Sequence, residues 1–353
     1  MTRRVAWRGL HAVKIRILTA FASLALIAID CTGTANKTWR GPAGSVSAPL
    51  APKEAVRQMG RGINLGNTLE PPTEGAWNNG PAQECYFDDF KAAGFTCVRI
   101  PVRWDEHTAT NAPYTVDAAW MNRFEQVVDW GLARGFFIIL DAHHEDWLKT
   151  HYADPARVQR FDQIWVQIAN RFKDKSGHLI FEILNEPHGM TTPQVNDLNV
   201  RILKIIRASN PTRLVIFTGN DWSQPDRFIL TAAPKDPYVI GTFHYYLPDT
   251  FANHGKGTWG SDHDHAFLEH EFDKVSAWSR TNQIPVFLGE FATIGTCDPA
   301  SRRAYYAAVV SEALSRGFAF AVWDNGGDCR LYDRANRSWS GLKDVVIHTP
   351  ARP

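Results

Sequence analysis

The stretch Leu179–Gly189 reads LIFEILNEPHG, in which a run of mostly apolar residues passes directly into Asn185, Glu186 and Pro187. An apolar run of this length, ended by a polar turn, is typical of a strand buried on both faces in a parallel sheet. A carboxylate at the C-terminal end of such a strand has no obvious packing role. In a parallel barrel that end is where catalytic residues lie, so the stretch predicts a buried strand that delivers Glu186 to a functional site.

Seven further short apolar segments follow the same pattern, and helical stretches separate them. Because eight strands alternate with helices from Arg61 onwards, the sequence predicts an α/β fold, a single-domain (β/α)8 TIM barrel. A doubly wound open sheet is the alternative, but GINLGN at residues 62–67 lacks the G-x-G-x-x-G spacing of its usual phosphate loop. The predicted strands are Gly62–Leu65, Cys97–Pro101, Phe136–Asp141, Leu179–Leu184, Arg213–Thr218, Tyr238–Phe243, Pro285–Gly289 and Phe318–Trp323.

The composition is that of a globular protein with a large core. Hydrophobic residues make up 44% of the 353 residues, and the formal net charge is +1. A nearly neutral chain has no bulk field that attracts nucleic acid, so we expect no nucleic-acid partner. The 13 tryptophans are a high number, and flat side chains of this size suit stacking against sugar rings.

The N-terminus has the pattern of a secretory signal. Basic residues such as Arg3 and Arg4 precede the apolar run Ile17–Ile29, and small residues follow at Gly33-Thr34-Ala35. We predict a signal peptide over residues 1–35, a Gly/Ala/Ser/Pro-rich linker over 36–55 and a catalytic domain over 56–353, in a secreted or periplasmic protein. The alternative is an uncleaved N-terminal anchor.

Export would permit disulfide bonds. Four cysteines remain after processing, and two of them, Cys297 and Cys329, both follow predicted strand ends. We expect these two to form a bridge; the alternative is that all four are free and mostly buried thiols.

Polar or aromatic side chains end seven of the eight predicted strands. The C-terminal ends of all strands in a barrel meet in one cleft, so we expect these side chains to converge. Each of them alone is more often structural than catalytic, and it is the convergence that indicates function. They include Asn64, Asn67, Glu70, Arg99, His143, His144, Asn185, Glu186, His244, Tyr246, Glu290 and Trp323.

Two carboxylates stand out, Glu186 after the fourth strand and Glu290 after the seventh, which face each other across a barrel mouth. Two carboxylates flanking one bond is the arrangement that glycoside hydrolysis needs. Arg99 beside Glu290 would favour its ionised form, whereas a less charged setting would keep the proton on Glu186.

Seven motifs in chain order closely resemble glycoside hydrolase family 5, in particular its bacterial cellulase-type (endo-β-1,4-glucanase) branch. The resemblance covers residues 61–346 and implies a (β/α)8 fold and retaining hydrolysis, with Glu186 as acid/base and Glu290 as nucleophile. A retaining reaction would place the two carboxyl groups about 5–5.5 Å apart. The motifs are GINLGNTLEPPTEGAWNN, VRIPVRW, ILDAHHEDW, FEILNEPHG, GTFHYYLP, FLGEFA and AVWDNGG.

The resemblance also implies roles for the residues around this pair. Asn185 would hold the sugar 2-hydroxyl, Trp323 would lie under the sugar beside the scissile bond, and Trp259 would be a further cleft tryptophan. The remaining residues would orient the nucleophile (Arg99, Tyr246), line the cleft (His143, His144, His244) or contact substrate from the first strand (Asn67, Glu70).

The sequence predicts a secreted retaining endo-β-1,4-glucanase that acts as a monomer on cellulose-like or mixed-linkage glucan. An endo-β-mannanase or a dual-activity enzyme is the alternative, and a non-catalytic carbohydrate-binding protein is the alternative from another class. We expect no cofactor and no metal: Asp262–His265 with His270 looks like a metal cluster by composition but is better explained as a solvated helix start.

Overall fold

The computed structural model describes residues 49–77 and 79–352. Eight parallel strands close into a barrel in which each strand pairs with its neighbour in the chain and the last pairs with the first. This confirms the predicted (β/α)8 barrel. The strands are β1 (Arg61–Asn64), β2 (Cys97–Val102), β3 (Phe137–Ala142), β4 (Leu179–Glu182), β5 (Val215–Thr218), β6 (Val239–Tyr245), β7 (Val286–Phe291) and β8 (Ala319–Val322).

Helices connect the strands, and each longer helix buries an apolar face. The long helix Pro155–Phe172 shows why: Phe161, Ile164, Trp165 and Ile168 recur at helical spacing and are all buried. Its start is capped by Asp154, whose carboxylate accepts the Ala156 N–H at 2.9 Å. The helices are α1 (Pro52–Met59), α2 (Glu84–Ala93), α3 (Ala118–Ala133), α4 (Asp146–Lys149), α5 (Pro155–Phe172), α6 (Thr192–Arg207), α7 (Pro225–Phe228), α8 (Asp249–Ala252), α9 (Asp262–Asn282), α10 (Pro299–Ser315) and α11 (Leu342–His348).

Two smaller features complete the fold. A two-stranded sheet, β9 (Tyr332–Asp333) with β10 (Ser338–Trp339), follows the last barrel strand. At the start of α9, the Ser261 hydroxyl accepts the Asp264 N–H, while the Asp264 carboxylate accepts the Ser261 N–H. Asp264 is therefore a capping residue, as the interpretation of this stretch as a helix start requires.

The N-terminal end of the barrel is closed by α1. Ala55, Val56 and Met59 pack on apolar side chains from the first residues of several strands, among them Phe137 and Ile180. Residues 52–55, the last of the linker predicted for residues 36–55, instead form the start of this helix. The predicted signal peptide, and the linker as far as residue 48, lie outside the described residues. Across residues 49–77 and 79–352, no helix combines the length and apolar character needed to cross a membrane.

At the opposite end, the pairing of β6 with β7 is irregular. Phe243 pairs with Leu288 but His244 pairs with Glu290, so Gly289 is an extra residue on β7. A Cβ atom at position 289 would lie 2.6 Å from Nε2 of His244 and 2.8 Å from Oγ1 of Thr242. Only glycine fits there, and the bulge sets the height at which Glu290 leaves the strand.

Candidate active site

A cavity of about 560 Å³ opens at the C-terminal ends of the strands. It brings together six of the predicted site residues, which come from β3, β4, β6, β7, β8 and the segments that follow them. Its lining consists of His143, Glu186, Trp222, Gln224, His244, Tyr246, Leu247, Asp249, Asn253, Glu290, Trp323 and Cys329.

The two predicted catalytic carboxylates face each other in this cavity. One oxygen of Glu186, one of Glu290 and a ring nitrogen of His244 all lie within 4.8 Å of one another. Nδ1 of His244 is 2.7 Å from Oε1 of Glu186 and 3.8 Å from Oε2 of Glu290. These three groups could each offer one ligand atom to a metal ion, but their direct contacts also suit a reaction between two carboxylates without one.

The environments of the two carboxylates differ. Both oxygens of Glu290 accept hydrogen bonds, from Nη1 of Arg99 at 2.7 Å and from the Tyr246 hydroxyl at 2.7 Å. The Glu290 side chain is 6% exposed, whereas that of Glu186 is 22% exposed, and its Oε1 lies 2.7 Å from Nδ1 of His244. Glu186 also has a positive φ of 41°, which is uncommon for a residue with a side chain.

The Arg99 guanidinium is the centre of a buried polar network beneath the cavity. It donates to both oxygens of Glu182, at 2.7 and 2.8 Å, and lies 2.9 Å from Oδ2 of Asp141. It also donates to Oδ1 of Asn64 at 3.0 Å and to Oδ1 of Asn185 at 2.8 Å. One buried cation is thus surrounded by carboxylate and amide oxygens, and the same cation positions the nucleophile candidate Glu290.

A second chain of contacts fixes His143. Its Nδ1 lies 2.6 Å from Oδ2 of Asp141, and its Nε2 lies 3.4 Å from Nδ2 of Asn185. Since a carboxylate only accepts, Nδ1 carries the proton and Nε2 faces the amide as an acceptor. The ring also stacks on Trp323, with centroids 5.7 Å apart and planes 6° from parallel. His143 therefore holds the orientation of both Asn185 and the predicted sugar platform.

Burial sets the protonation tendencies of the two carboxyl groups. It raises the pKa of Glu186, with the charges of Lys149 and Arg99 opposing it. It also raises the pKa of Glu290, opposed by the charge of Arg99 and by the Tyr246 hydrogen bond. Because a permanent cation and a hydroxyl both donate to Glu290, that residue is the one favoured to be ionised, and the proton is left to Glu186.

The cavity histidines are neutral bases. Burial lowers the pKa of His143 well below its usual value and lowers that of His244 as well. Burial also lowers the pKa of His144 to about 2. The His144 ring lies edge-on against Trp77, with centroids 5.3 Å apart. His144 therefore packs against Trp77, and neither residue is among those that line the cavity.

Glu70 was predicted to contact substrate, and the structure gives it another role. Its side chain is fully buried, and its two carboxylate oxygens accept the backbone N–H groups of Asn67 and Thr68. Burial raises its pKa to about 7. Glu70 therefore holds the loop after β1, which includes Asn67 with its positive φ of 53°, and neither residue lines the cavity.

Trp259 was predicted to be a cleft tryptophan, and this prediction is wrong. Its side chain is 5% exposed and packs edge-on against His265 and Tyr305, with centroids 4.7 and 5.5 Å away. The loop after β6 turns the indole towards α9 and α10, so it is a packing residue.

The predicted disulfide between Cys297 and Cys329 is also wrong, because both are free, buried thiols. The Cys297 sulfur faces the carbonyl oxygen of Phe251 at 3.0 Å, while Cys329 lines the cavity. Burial raises the pKa of Cys329 to about 12. The two sulfurs therefore belong to different surroundings, although both follow strand ends.

Sequence reasoning missed Glu182 and Asp141, two acidic partners of Arg99 besides Glu290. Both are fully buried within barrel strands. A signal was present: an acidic residue inside an apolar strand requires a buried cation, and Arg99 is the one basic residue within VRIPV of β2. The neighbouring strands would then have been expected to supply such partners.

Trp222 was also missed. It lies on the loop after β5, lines the cavity and is 47% exposed. Its ring stacks on His188, with centroids 5.4 Å apart and planes 8° from parallel. A tryptophan in a polar loop directly after a strand of the barrel was the available signal.

Residues 57–328 match the family model described as "Cellulase (glycosyl hydrolase family 5)". Endoglucanase H of Acetivibrio thermocellus is 50% identical over 319 residues, which cover 87% of this chain and 35% of that protein. The chain thus spans about a third of the length of that relative.

Solved structures agree with this match. Thermotoga maritima Cel5A in complex with a mannotriose substrate superposes with a TM-score of 0.81 at 33% identity, covering 84% of this chain and all of that one. A tri-modular GH5 (subfamily 4) endo-β-1,4-glucanase of Bacillus licheniformis, complexed with cellotetraose, gives a TM-score of 0.81 at 38% identity. That superposition covers 85% of this chain and 60% of that one.

Proposed function

This chain belongs to glycosyl hydrolase family 5, and on that basis we propose that it is a secreted, retaining endo-β-1,4-glucanase. Its substrate would be the internal bonds of cellulose-like or mixed-linkage glucans. The observation that carries the proposal is the pair Glu186 and Glu290, whose nearest carboxylate oxygens lie within 4.8 Å. Inverting glycosidases separate their carboxyl groups by about 6.5–9.5 Å to admit a water molecule, whereas retaining ones hold them about 5–5.5 Å apart.

In the first step, a carboxylate oxygen of Glu290 attacks the anomeric carbon. Arg99 and Tyr246 hold this carboxylate in place by one hydrogen bond to each oxygen. As the bond to the leaving oxygen breaks, the proton of Glu186 passes to that oxygen, and a covalent glycosyl-enzyme remains. Asn185, held by Arg99 and His143, is suited to bind the sugar 2-hydroxyl, where a hydrogen bond strengthens in the transition state.

In the second step, Glu186 is ionised and accepts a proton from water while that water attacks the same carbon. The bond to Glu290 breaks, Glu290 becomes a carboxylate again, and Glu186 recovers its proton. His244 lies between the two groups and is neutral, because burial lowers its pKa. It can therefore orient Glu186 without supplying a charge of its own.

Attack on internal bonds requires a cleft that binds sugar on both sides of the reacting centre. Trp222, which lines the cavity on the loop after β5, is 47% exposed, and Trp77, which packs against His144, is 44% exposed. Trp323 also lines the cavity and stacks on His143. Flat side chains of this kind support a β-linked sugar chain as the substrate.

The second candidate is an endo-β-1,4-mannanase or a dual-activity enzyme. The structure of Thermotoga maritima Cel5A with mannotriose supports this candidate, because that protein has the same fold and is 33% identical to this chain. Glucose and mannose differ at the 2-hydroxyl, which is the group that Asn185 would meet. Secretion rests on the signal pattern of residues 1–35.

A hydrolysis panel tests the proposal: carboxymethyl-cellulose, barley glucan, glucomannan and galactomannan at equal concentration. We expect the two glucans to be cut fastest, with a rapid fall in viscosity that indicates internal cleavage. Faster cleavage of galactomannan would instead favour the second candidate. NMR of the first product should show the β-anomer, and an α-anomer would refute the retaining mechanism.

A further inference from the structure

The segment that carries Trp222 is held in an unusual conformation. Asp221, Trp222 and Ser223 have consecutive positive φ values of 52°, 59° and 54°, in a region that residues with a Cβ avoid. The buried Ser223 hydroxyl stabilises this turn, since it accepts the Gly219 N–H at 3.1 Å and donates to the Thr242 carbonyl at 2.8 Å. The turn is therefore built to present an indole at the cavity edge.

His188 connects this indole to the segment of Glu186. Its ring is stacked on Trp222, as described above, and its Nδ1 lies 3.1 Å from the carbonyl oxygen of Glu186. A carbonyl only accepts, so Nδ1 is the donor. The backbone N–H of Trp222 donates to the carbonyl oxygen of Pro187 at 3.2 Å. Two hydrogen bonds and one stacked ring pair thus link the tryptophan turn to the carbonyl groups of Glu186 and Pro187.

We propose that His188 is a positioning residue that couples sugar binding on Trp222 to the placement of the acid/base Glu186. The inference rests on the proposed function and adds a residue to it. The side of the cleft next to Glu186 receives the leaving group, because this residue gives it a proton. A sugar from the leaving group that stacks on Trp222 therefore restricts the motion of the Trp222 and His188 rings. Through its hydrogen bond to the Glu186 carbonyl, His188 then restricts the backbone of Glu186.

The backbone of Glu186 needs such a restraint. Its φ of 41° lies in the left-handed region, where a residue with a side chain is strained unless its surroundings hold it. The side chain is held at its tip by His244, but the main chain is held on this side by the His188 donor. Without that donor the carboxyl group would still be present but would lie less well for proton transfer.

Two variants separate the stacking of His188 on Trp222 from its hydrogen bond to the Glu186 carbonyl, and both also remove the 3.4 Å contact of Nε2 with Oδ1 of Asp146. His188→Phe keeps a ring for Trp222 and removes the donor, whereas His188→Asn removes the ring and keeps an N–H close to the position of Nδ1. His188→Ala removes both. The probes are cellopentaose, whose leaving alcohol needs a proton, and dinitrophenyl β-cellobioside, whose leaving phenolate does not. The exposed His348→Ala serves as the control, because its side chain is 72% exposed on α11.

We expect His188→Phe to lower kcat on cellopentaose by about tenfold to a hundredfold with little change in KM, since misplaced groups lose that much. The same variant should keep its kcat/KM on the dinitrophenyl glycoside, which also shows that it is folded. His188→Asn should mainly raise KM for cellopentaose, and His188→Ala should show both defects. His348→Ala should match the wild type on both probes.

Two results would overturn the inference while leaving the proposed function in place. One is wild-type kcat on cellopentaose in His188→Ala and His188→Phe. The other is an equal loss on both probes, because that would show a general structural effect rather than a defect in proton transfer. A wild type that cleaves neither probe would overturn the proposed function, and the inference with it.

Discussion

Glu182 and Arg99 are joined by two hydrogen bonds of 2.7 and 2.8 Å at a depth where neither side chain is exposed to solvent. The pair lies directly beneath the two candidate catalytic carboxylates. Arg99 uses its remaining donors on Glu290, Asn64 and Asn185. Glu182 therefore helps to fix the cation that positions the candidate nucleophile Glu290, although its own side chain is fully buried and does not line the cavity.

Replacing Glu182 should cost both stability and activity. Glu182→Ala leaves a buried guanidinium short of two acceptors, and breaking such a pair costs about 3–5 kcal/mol. Glu182→Gln keeps the shape and one acceptor, so we expect a smaller loss in the free energy of unfolding. Urea unfolding measures the free energy of unfolding of the two variants, and kcat on barley glucan should fall in both. A fully stable and active Glu182→Ala would show that the network does not depend on this residue.

The two catalytic candidates should fail in different ways. Glu290→Ala should lose about five orders of magnitude or more in turnover on every substrate, because no nucleophile remains. Glu186→Ala should lose about two to four orders in kcat/KM on cellopentaose, the range that general acids contribute. It should retain much of its kcat/KM on dinitrophenyl β-cellobioside, which needs no proton. Swapped behaviour of the two variants would reverse the assignment of roles.

His144 should make the protein less stable in acid. Burial lowers the pKa of His144 in the folded protein to about 2, whereas in the unfolded chain this side chain takes up a proton near pH 6.5. The contribution of the neutral ring to the free energy of unfolding is therefore complete above pH 6.5 and is lost as pH falls. Between pH 6.5 and 5 the loss amounts to about 2 kcal/mol. Urea unfolding of the wild type and of His144→Gln at pH 7 and pH 5 measures it. An identical pH dependence in the two proteins would contradict the prediction.

Truncation of two tryptophans should affect different properties, substrate binding for Trp323 and stability for Trp259. Trp323 lines the cavity, so Trp323→Ala should raise KM for cellopentaose on the order of tenfold, equivalent to about 1.4 kcal/mol. Trp259 is buried against His265 and Tyr305, so Trp259→Ala should lower the free energy of unfolding by about 3–5 kcal/mol with an unchanged KM. A raised KM in Trp259→Ala, with unchanged stability, would restore it to the cleft.

The barrel and its central pair could be predicted from sequence because both follow from local pattern. Apolar runs of strand length mark the barrel, and the residue directly after each run lies at the mouth. That logic located Glu186, Glu290, His143, His244 and Trp323, all of which line one cavity.

The rest depended on where side chains point, which the pattern does not reveal. Glu70 stands in the right segment but accepts N–H bonds from its own loop. Cys297 and Cys329 both follow strands, yet one sulfur faces a backbone carbonyl and the other faces the cavity. Glu182 lies within an apolar run and was not recognised, because the residues around a buried, fully paired carboxylate are the same apolar ones that any buried strand has.

The bulge at Gly289 has a consequence for engineering this protein. One residue without a side chain sets the spacing between His244 and the candidate nucleophile Glu290, and both lie on barrel strands. The exposed aromatic side chain at the cavity, Trp222, lies on a loop. Libraries that vary those loops should therefore change polymer preference while retaining turnover, whereas position 289 should tolerate no substitution at all.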